Sequence, residues 1–127
     1  MSRLTDKTDS EALDFKSKIA AFANLSDNWD GLGTSEPSQL AISNALFVLE
    51  ALFKNETLPD FVNATSDDSI VVQLQRENGF YLFECFNNGD IVFLKKQNGK
   101  RDVVDLQKWD IQNAVAQISA NKTNALF

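Results

Sequence analysis

The sequence contains no histidine, and this absence narrows the chemistry that the protein can carry out. Histidine is the usual general base at neutral pH, the activating partner of serine and cysteine nucleophiles, and a frequent zinc ligand. The sequence therefore excludes histidine-activated nucleophiles and zinc sites with histidine ligands. We expect a protein that is not an enzyme and that binds no metal or other cofactor.

Cysteine is nearly absent too, because Cys85 is the only one in the chain. A single cysteine cannot form an intramolecular disulfide, and between Glu84 and Phe86 it is expected to behave as a small buried hydrophobic residue. The beginning of the chain lacks the basic and apolar segments of an export signal, and no apolar run approaches the roughly 20 residues of a membrane span. We expect a cytoplasmic protein without membrane contact.

Positive charge is scarce. The chain has 12 lysine and arginine residues against 18 aspartate and glutamate residues, which gives a formal net charge of -6. Binding to nucleic acid requires clustered cations that contact phosphates, and here only Lys95-Lys96 and Lys100-Arg101 lie close together in the sequence. We therefore expect no nucleic acid as a partner.

Two helices are predicted in the first part of the chain. Thr8 and Glu11 have the spacing of a capping box, so a helix is expected to begin at Thr8. A second helix is expected to open with the Ser35-Glu36-Pro37 segment and to end near Lys54, since proline suits the first turn of a helix. Its apolar residues cover more than one side, which predicts a central position between the first helix and a sheet. The apolar stripe of the first helix consists of Ala12, Phe15, Ile19 and Phe22.

Three Asn-Gly pairs mark the second half of the chain. Asn78-Gly79, Asn88-Gly89 and Asn98-Gly99 recur at intervals of ten residues, each between runs of β-branched and aromatic residues. Asn-Gly suits the two-residue type I′ hairpin, in which both central residues have positive φ. Three such turns would join four antiparallel strands into a meander. Upstream, Phe61-Val62 is expected to form either a short fifth strand or an extended lead-in.

Counting outward from the Asn-Gly pairs predicts a single register for the whole meander. Leu74 is expected to face Phe83, Phe83 to face Leu94, and Leu94 to face Val103. The face that these rows form should receive the helices, because it is almost wholly apolar. The residues expected on this core face are Ile70, Val72, Leu74, Tyr81, Phe83, Cys85, Val92, Leu94 and Val103.

The opposite face of the predicted sheet is mixed in character, whereas a face exposed to water normally alternates more cleanly to polar residues. Some apolar cover over it is therefore expected. A third helix, capped by Asp105 and apolar along the side that carries Trp109 and Ile118, is one candidate for that cover. A protein partner is the other, and the residues predicted to bind it are Val71, Phe86, Ile91, Phe93 and Val104.

A second candidate site is the loop between the first two helices, formed by Asn28, Trp29, Asp30 and Gly31. Its oxygen ligands before a glycine look like part of a calcium loop, but the alternating ligand positions and the distal glutamate are missing. The leading interpretation is structural: Trp29 fills the helix junction, Asp30 caps backbone N–H groups, and Gly31 and Gly33 allow a tight reversal. A partner-binding loop is the alternative.

The same loop carries a family resemblance. Asn28, Trp29, Asp30 and Gly31, followed by Gly33 and a helix led by Pro37, resemble a group of small bacterial proteins of uncharacterised function that carry an NWDG-type loop. The resemblance implies a bacterial or mobile-element source. It implies no activity.

Together these features predict an α+β fold in a single domain over residues 1–127, with two N-terminal helices and one C-terminal helix around a four-stranded antiparallel meander. The leading functional hypothesis is a non-catalytic protein-binding module that uses the mixed sheet face as a homodimer or hetero-partner interface. Small size and acidic charge suit an antitoxin- or immunity-like protein within this class. The alternative is a small-molecule-binding or carboxylate-based enzyme site near Trp29-Asp30-Gly31, which requires a pocket with a carboxylate of raised pKa.

Overall fold

The structure, a computed structural model, describes the backbone of residues 6–124 and the side chains of residues 9–118. Within this part of the chain, three helices and a five-stranded antiparallel sheet form the α+β fold that the sequence predicts. The helices are α1 (Asp6–Ala21), α2 (Gln39–Lys54) and α3 (Ile111–Asn124). The strands follow one another in the sheet in chain order: β1 (Phe61–Thr65), β2 (Ser69–Arg76), β3 (Gly79–Phe86), β4 (Ile91–Gln97) and β5 (Lys100–Leu106).

Helix α1 begins at Asp6, two residues before the predicted start, so Thr8 lies inside the helix. The predicted capping contact of the Thr8 side chain falls outside the described side chains. The apolar stripe is confirmed, because Ile19 is fully buried, Phe22 is buried in the short 3-10 turn that follows, and Phe15 packs against the core. The stripe holds α1 against the rest of the molecule.

Helix α2 begins at Gln39 because Ser38 caps it, with the Ser38 Oγ accepting the backbone N–H of Ala41 at 3.0 Å. The predicted opening at Ser35-Glu36-Pro37 is therefore too early. Ser38 also donates its backbone N–H and its hydroxyl to Asn87, in the loop between β3 and β4, at 2.9 and 2.8 Å. The cap is thus tied to the sheet, and the predicted end of the helix at Lys54 is confirmed.

The predicted central position of α2 is also confirmed. This helix contacts α1 on one side, β2 and β3 on another, and α3 on a third. Its Leu49 and Leu52 side chains are fully buried, as are Ile111, Val115 and Ile118 of α3. All five belong to a single hydrophobic core.

Helix α3 starts later than predicted and packs on a different side of the sheet. Asp105 lies in β5, and the helix entry is instead a capping box in which the Gln107 N–H donates to Asp110 Oδ2 at 2.9 Å. Trp109, predicted on the apolar side, is 76% exposed. Because α3 joins the same core as α2, the predicted cover of the opposite sheet face by this helix is wrong.

The segment after α2 forms a true fifth strand, so the strand alternative for Phe61-Val62 is confirmed. Strand β1 pairs antiparallel with β2, with Val62 opposite Val72 and Ala64 opposite Ile70. These four side chains are buried, so β1 extends the core face to the sheet edge.

The first predicted hairpin is two residues out of its predicted register. Leu74 lies opposite Tyr81, not Phe83, because the turn residues are Glu77-Asn78 and Gly79 already belongs to β3. A Cβ at Gly79 would meet the neighbouring strand at 2.8 Å, so this glycine permits a close approach of backbones. A shift of two residues keeps every side chain on its predicted face.

The second predicted hairpin has a three-residue loop, Asn87-Asn88-Gly89, where the sequence predicted two turn residues. The Phe86 N–H donates to Asp90 O at 2.8 Å, and the Gly89 N–H donates to Phe86 O at 2.9 Å. Gly89 has φ +98°, and Asn88 does not share the positive φ of a type I′ turn. The extra loop residue shifts the pairing of β3 with β4 by one.

That single-residue shift turns β4 over. Phe83 faces Phe93, with ring centroids 4.7 Å apart, and Leu94 lies on the opposite face of the sheet. The predicted single alignment of the meander is therefore wrong. Ile91 and Phe93 are buried in the core at 4% and 3% exposure, in the places predicted for Val92 and Leu94.

The third hairpin follows its prediction. Leu94 lies opposite Val103, and Asn98 and Gly99 both have positive φ, at 51° and 78°. Because β4 is turned over, this correct pairing carries Val103 to the face opposite the core as well.

Candidate functional site

One face of the sheet is left uncovered by the helices of the described chain. The helices contribute to one core, and that core contains the inward residues of β1 to β4. Alternation along the strands places the remaining side chains on the other side, which we call the open face. Its residues in β2 to β5 are Ser69, Val71, Gln73, Gln75, Phe80, Leu82, Glu84, Phe86, Val92, Leu94, Lys96, Arg101, Val103 and Asp105.

The middle of the open face is apolar. Leu82 lies directly opposite Leu94, and Leu94 directly opposite Val103. The two leucines are half-buried and Val103 is 52% exposed. We call these three residues the apolar row. It crosses β3, β4 and β5 at right angles to the strands.

One step toward the β4–β5 turn, that is, two residues along each strand, β4 and β5 carry cations on this face. Phe80 lies opposite Lys96, and Lys96 lies opposite Arg101. Lys96 and Arg101, which we call the basic row, are both exposed. A cleft of about 720 Å³ opens beside them, lined also by Phe80, Arg76 and the two neighbouring turns.

One step in the other direction, the strands carry carboxylates. Glu84 lies opposite Val92, and Val92 lies opposite Asp105. We call Glu84 and Asp105 the acidic row. The Ser69 hydroxyl donates to Glu84 Oε2 at 2.6 Å. Because a hydroxyl has one hydrogen to donate, Ser69 Oγ accepts the hydrogen bond from the Thr65 hydroxyl, which lies 2.6 Å away. This relay fixes the position of the Glu84 carboxylate.

The residues predicted to bind a partner do not all share one face. Val71 and Phe86 lie on the open face, where Val71 is buried among its neighbours and Phe86 is half-buried. Ile91 and Phe93 lie in the core, so the prediction that they share a face with Val71 is wrong. Val104 is 48% exposed but points to the other side, where it lines a cleft of about 280 Å³ beside α3.

Sequence reasoning missed the residues that make the open face distinctive. Leu94 and Val103 were predicted in the core, and the two charged rows could not be recognised while β4 was placed the wrong way round. The signal that could have corrected this is the segment Asn87-Asn88-Gly89, in which glycine at the third position suits a three-residue loop.

The loop of Asn28, Trp29, Asp30 and Gly31 is held by its own hydrogen bonds. Asn28 Oδ1 accepts the Gly33 N–H at 2.6 Å, and the Trp29 indole N–H donates to a backbone carbonyl at 3.3 Å while the ring packs against the core. Gly31 and Gly33 have φ of 77° and 82°. The predicted tight reversal is confirmed.

The Asp30 carboxylate is engaged within the same loop. Its Oδ1 accepts the Leu32 N–H at 2.9 Å, which confirms the predicted capping role, and its Oδ2 accepts the Thr34 hydroxyl at 2.5 Å. The Thr34 hydrogen bond is the main reason why the pKa of Asp30 lies below its ordinary value. A general acid at neutral pH needs the opposite shift, so the raised carboxylate pKa that the enzyme alternative requires is not found at Asp30.

The Cys85 thiol lies in the core, next to the open face but pointing away from it. Burial raises the pKa of this thiol to about 12, and the nearby charge of Glu84 adds to the effect. The group is therefore a neutral thiol at physiological pH and has the character of a hydrophobic side chain.

The described residues offer neither a metal-binding cluster nor a membrane-spanning helix. In this part of the chain, no three or more Asp, Glu, Cys or His side chains are grouped so that they could hold a metal ion. None of its helices has the length and apolar character needed to cross a membrane.

Comparisons of the chain with protein-family models, with curated proteins and with solved structures found no match. The resemblance of the loop at residues 28–31 to that of NWDG-type bacterial proteins therefore stays a prediction.

Proposed function

We propose that this protein is a non-catalytic protein-binding module and that the open face of its sheet is the docking surface. The observation that carries the proposal is the apolar row. Leu82, Leu94 and Val103 form a continuous apolar strip on a face over which no helix of the described chain packs. Large contiguous apolar patches are rare on monomeric proteins and mark binding sites, because their exposure to water is unfavourable.

Three chemical features support a role without catalysis. The chain has no histidine to act as a base near neutral pH. Burial keeps the Cys85 thiol protonated, with its pKa near 12. The pKa of Asp30 is shifted down, away from the range of a general acid.

We place this module in a bacterial cytoplasm. Its open face binds either a second copy of the chain or a hetero-partner, and a hetero-partner would be a basic protein, as for an antitoxin or immunity protein. A buried free thiol at Cys85 suits a reducing compartment. The NWDG-type resemblance supports the bacterial source, and the net charge of -6 favours association with a protein of opposite charge.

The docking surface can be tested with two neighbouring valines of β5. Val103 and Val104 are exposed to similar extents, at 52% and 48%, but lie on opposite faces of the sheet. Val103→Asp places a charge in the apolar row and should abolish binding, whereas Val104→Asp is the matched control and should bind as the parent does. Binding is measured by affinity capture from the source cells and by light scattering, which also detects a second copy of the chain.

Circular dichroism and thermal unfolding of both variants establish that each remains folded. A parent protein that binds neither another chain nor its own copy at low and moderate salt would refute the proposed function. So would equal binding by Val103→Asp and Val104→Asp.

A further inference from the structure

We propose that the partner of the open face is a second copy of this chain, packed face to face about a twofold axis that runs across the strands along the apolar row. The dimer uses the same face as the proposed function and therefore rests on that function. Charge complementarity between the basic and acidic rows identifies both the occupant and the axis.

The basic row is an unfavourable arrangement within one chain. Lys96 and Arg101 lie directly opposite each other on adjacent strands, and like charges in such a pair repel. Neither makes an ion pair within the part of the chain that the structure describes. On the other side of the same two strands, Lys95 lies opposite Asp102, a pairing of unlike charges. The like-charged pair therefore occurs only on the face that we propose to be bound.

The acidic row carries charge of the opposite sign to the basic row. Glu84 and Asp105 lie on the same face, with the apolar row between them and the cations. The Ser69 hydroxyl holds the Glu84 carboxylate in place at 2.6 Å. Read along the strands, the open face thus carries positive charge, apolar side chains and negative charge in that order.

A pattern of this kind complements itself under one rotation. A twofold interface brings the same patch of both copies together, so that if one residue contacts another, the reverse contact also forms. An axis across the strands along the apolar row reverses the strand direction and keeps each strand over its own copy. Arg101 then faces Asp105 of the second copy, Lys96 reaches Glu84 of the second copy, and Leu94 meets its own equivalent.

A twofold axis that runs along the strands would also place the two sheets face to face. It would place the basic row of one copy on the basic row of the other, and likewise for the acidic rows. Repulsion between the paired rows disfavours that arrangement. The charges therefore select the axis across the strands, while the apolar row supplies the surface that is removed from water.

The chosen axis also gives the cleft beside the basic row an occupant. Phe86 lies one step beyond the acidic row, so the rotation carries it one step beyond the basic row of the second copy. That position is where the cleft of about 720 Å³ opens, beside Asn78 and Asn98. A half-buried aromatic ring would there fill a recess whose walls include Phe80 and Leu94.

The test is a set of charge reversals, with the dimer dissociation constant measured by sedimentation equilibrium. Arg101→Asp and Asp105→Arg should each weaken the dimer about tenfold, because each substitution is present in both copies and so removes two symmetry-related ion pairs. The double variant Arg101→Asp/Asp105→Arg should restore parental affinity. Residues 101 and 105 are about 13 Å apart along one strand, which is too far for a direct ion pair within one chain. Restored affinity would therefore report an ion pair between the two chains.

The matched control is Lys100→Asp, which makes the same charge change on the same strand but on the side opposite Arg101. It should leave the dissociation constant unchanged. Raising the salt concentration from about 0.05 M to about 0.5 M should weaken the parental dimer, because its charged rows are screened. Arg101→Asp removes an internal repulsion, so its thermal stability should be at least that of the parent monomer.

The outcomes separate the dimer from the proposed function. A parent that stays monomeric yet binds another protein in a manner that Val103→Asp abolishes would overturn the dimer and leave the docking surface standing. A dimer that ignores the charge reversals, or a double variant as weak as the single ones, would overturn the axis. A parent protein that binds neither its own copy nor any other protein would overturn both proposals.

Discussion

The burial of Cys85 makes the stability of the fold depend on pH in the alkaline range. Its thiol pKa rises to about 12 because burial disfavours the thiolate, and the Glu84 charge disfavours it further. In the unfolded chain the thiol has its ordinary pKa of about 8.5. The stability contributed by the neutral thiol is therefore fully present below about pH 8.5 and declines as the pH rises toward 12, because only the unfolded state releases the proton.

This linkage can be isolated with Cys85→Ala. Above about pH 9, the free energy of unfolding of the parent should fall by about 1.4 kcal/mol per pH unit more steeply than that of the variant. Urea unfolding of both proteins between about pH 7 and pH 10 measures the two slopes, and the variant controls for the other groups that titrate there. Parallel slopes would show that the thiol ionises equally well in the folded protein.

At the scale of single elements, predictability depends on whether the deciding contact is local. The apolar stripe of α1 and the end of α2 at Lys54 follow from nearby residues and were predicted. The start of α2 was not, because the Ser38 cap is bound by Asn87, which is 49 residues away in the chain. No local pattern around Pro37 records that contact.

The hairpins illustrate the same limit. Asn98 and Gly99 both take positive φ, so the Asn-Gly pair there forms the turn that its sequence indicates. At Asn88-Gly89 only the glycine does, within a three-residue loop, and the same dipeptide fits either loop. One residue of loop length decides which face Leu94 occupies.

A comparison of two glycine substitutions tests the role of the 87–89 loop. Gly89 has φ +98°, and a Cβ there would lie 3.3 Å from Leu40 Cδ1, whereas Gly99 has φ +78° and open space around it. Gly99→Ala should cost about 1–2 kcal/mol of unfolding free energy for its left-handed backbone, and Gly89→Ala should cost more. Urea unfolding measures both. A smaller loss for Gly89→Ala would show that this loop tolerates a Cβ.

At the scale of the whole molecule, the net charge of -6 conceals an ordered arrangement of charges. The alternating pattern of the sequence correctly predicted a sheet face of mixed character, since the spacing of apolar residues in β2 and β3 placed Val71 and Leu82 on one side. It could not show that Lys96 and Arg101 form one row and Glu84 and Asp105 another, because those rows exist only in the observed register. The fold class was therefore easier to predict than the candidate site.

The core and the open face are separate parts of this molecule, so stability and binding should respond to different substitutions. Leu49 is fully buried in α2, at the centre of the core that joins α1, the sheet and α3. Leu49→Ala should lower the free energy of unfolding by about 2–5 kcal/mol, whereas Leu32→Ala, at a position 76% exposed, should change it by less than about 0.5 kcal/mol.

Because one core links all these elements, far-UV and near-UV circular dichroism should report a single unfolding transition for Leu49→Ala as for the parent. Leu49→Ala should retain the binding of the parent under conditions where it is folded, and Val103→Asp should show the reverse pattern. Separate transitions would mean that a helix, such as α3, unfolds independently of the sheet. Loss of binding in folded Leu49→Ala would mean that the open face depends on the packing beneath it, since Phe83 and Leu82 are neighbours on one strand with side chains on opposite faces.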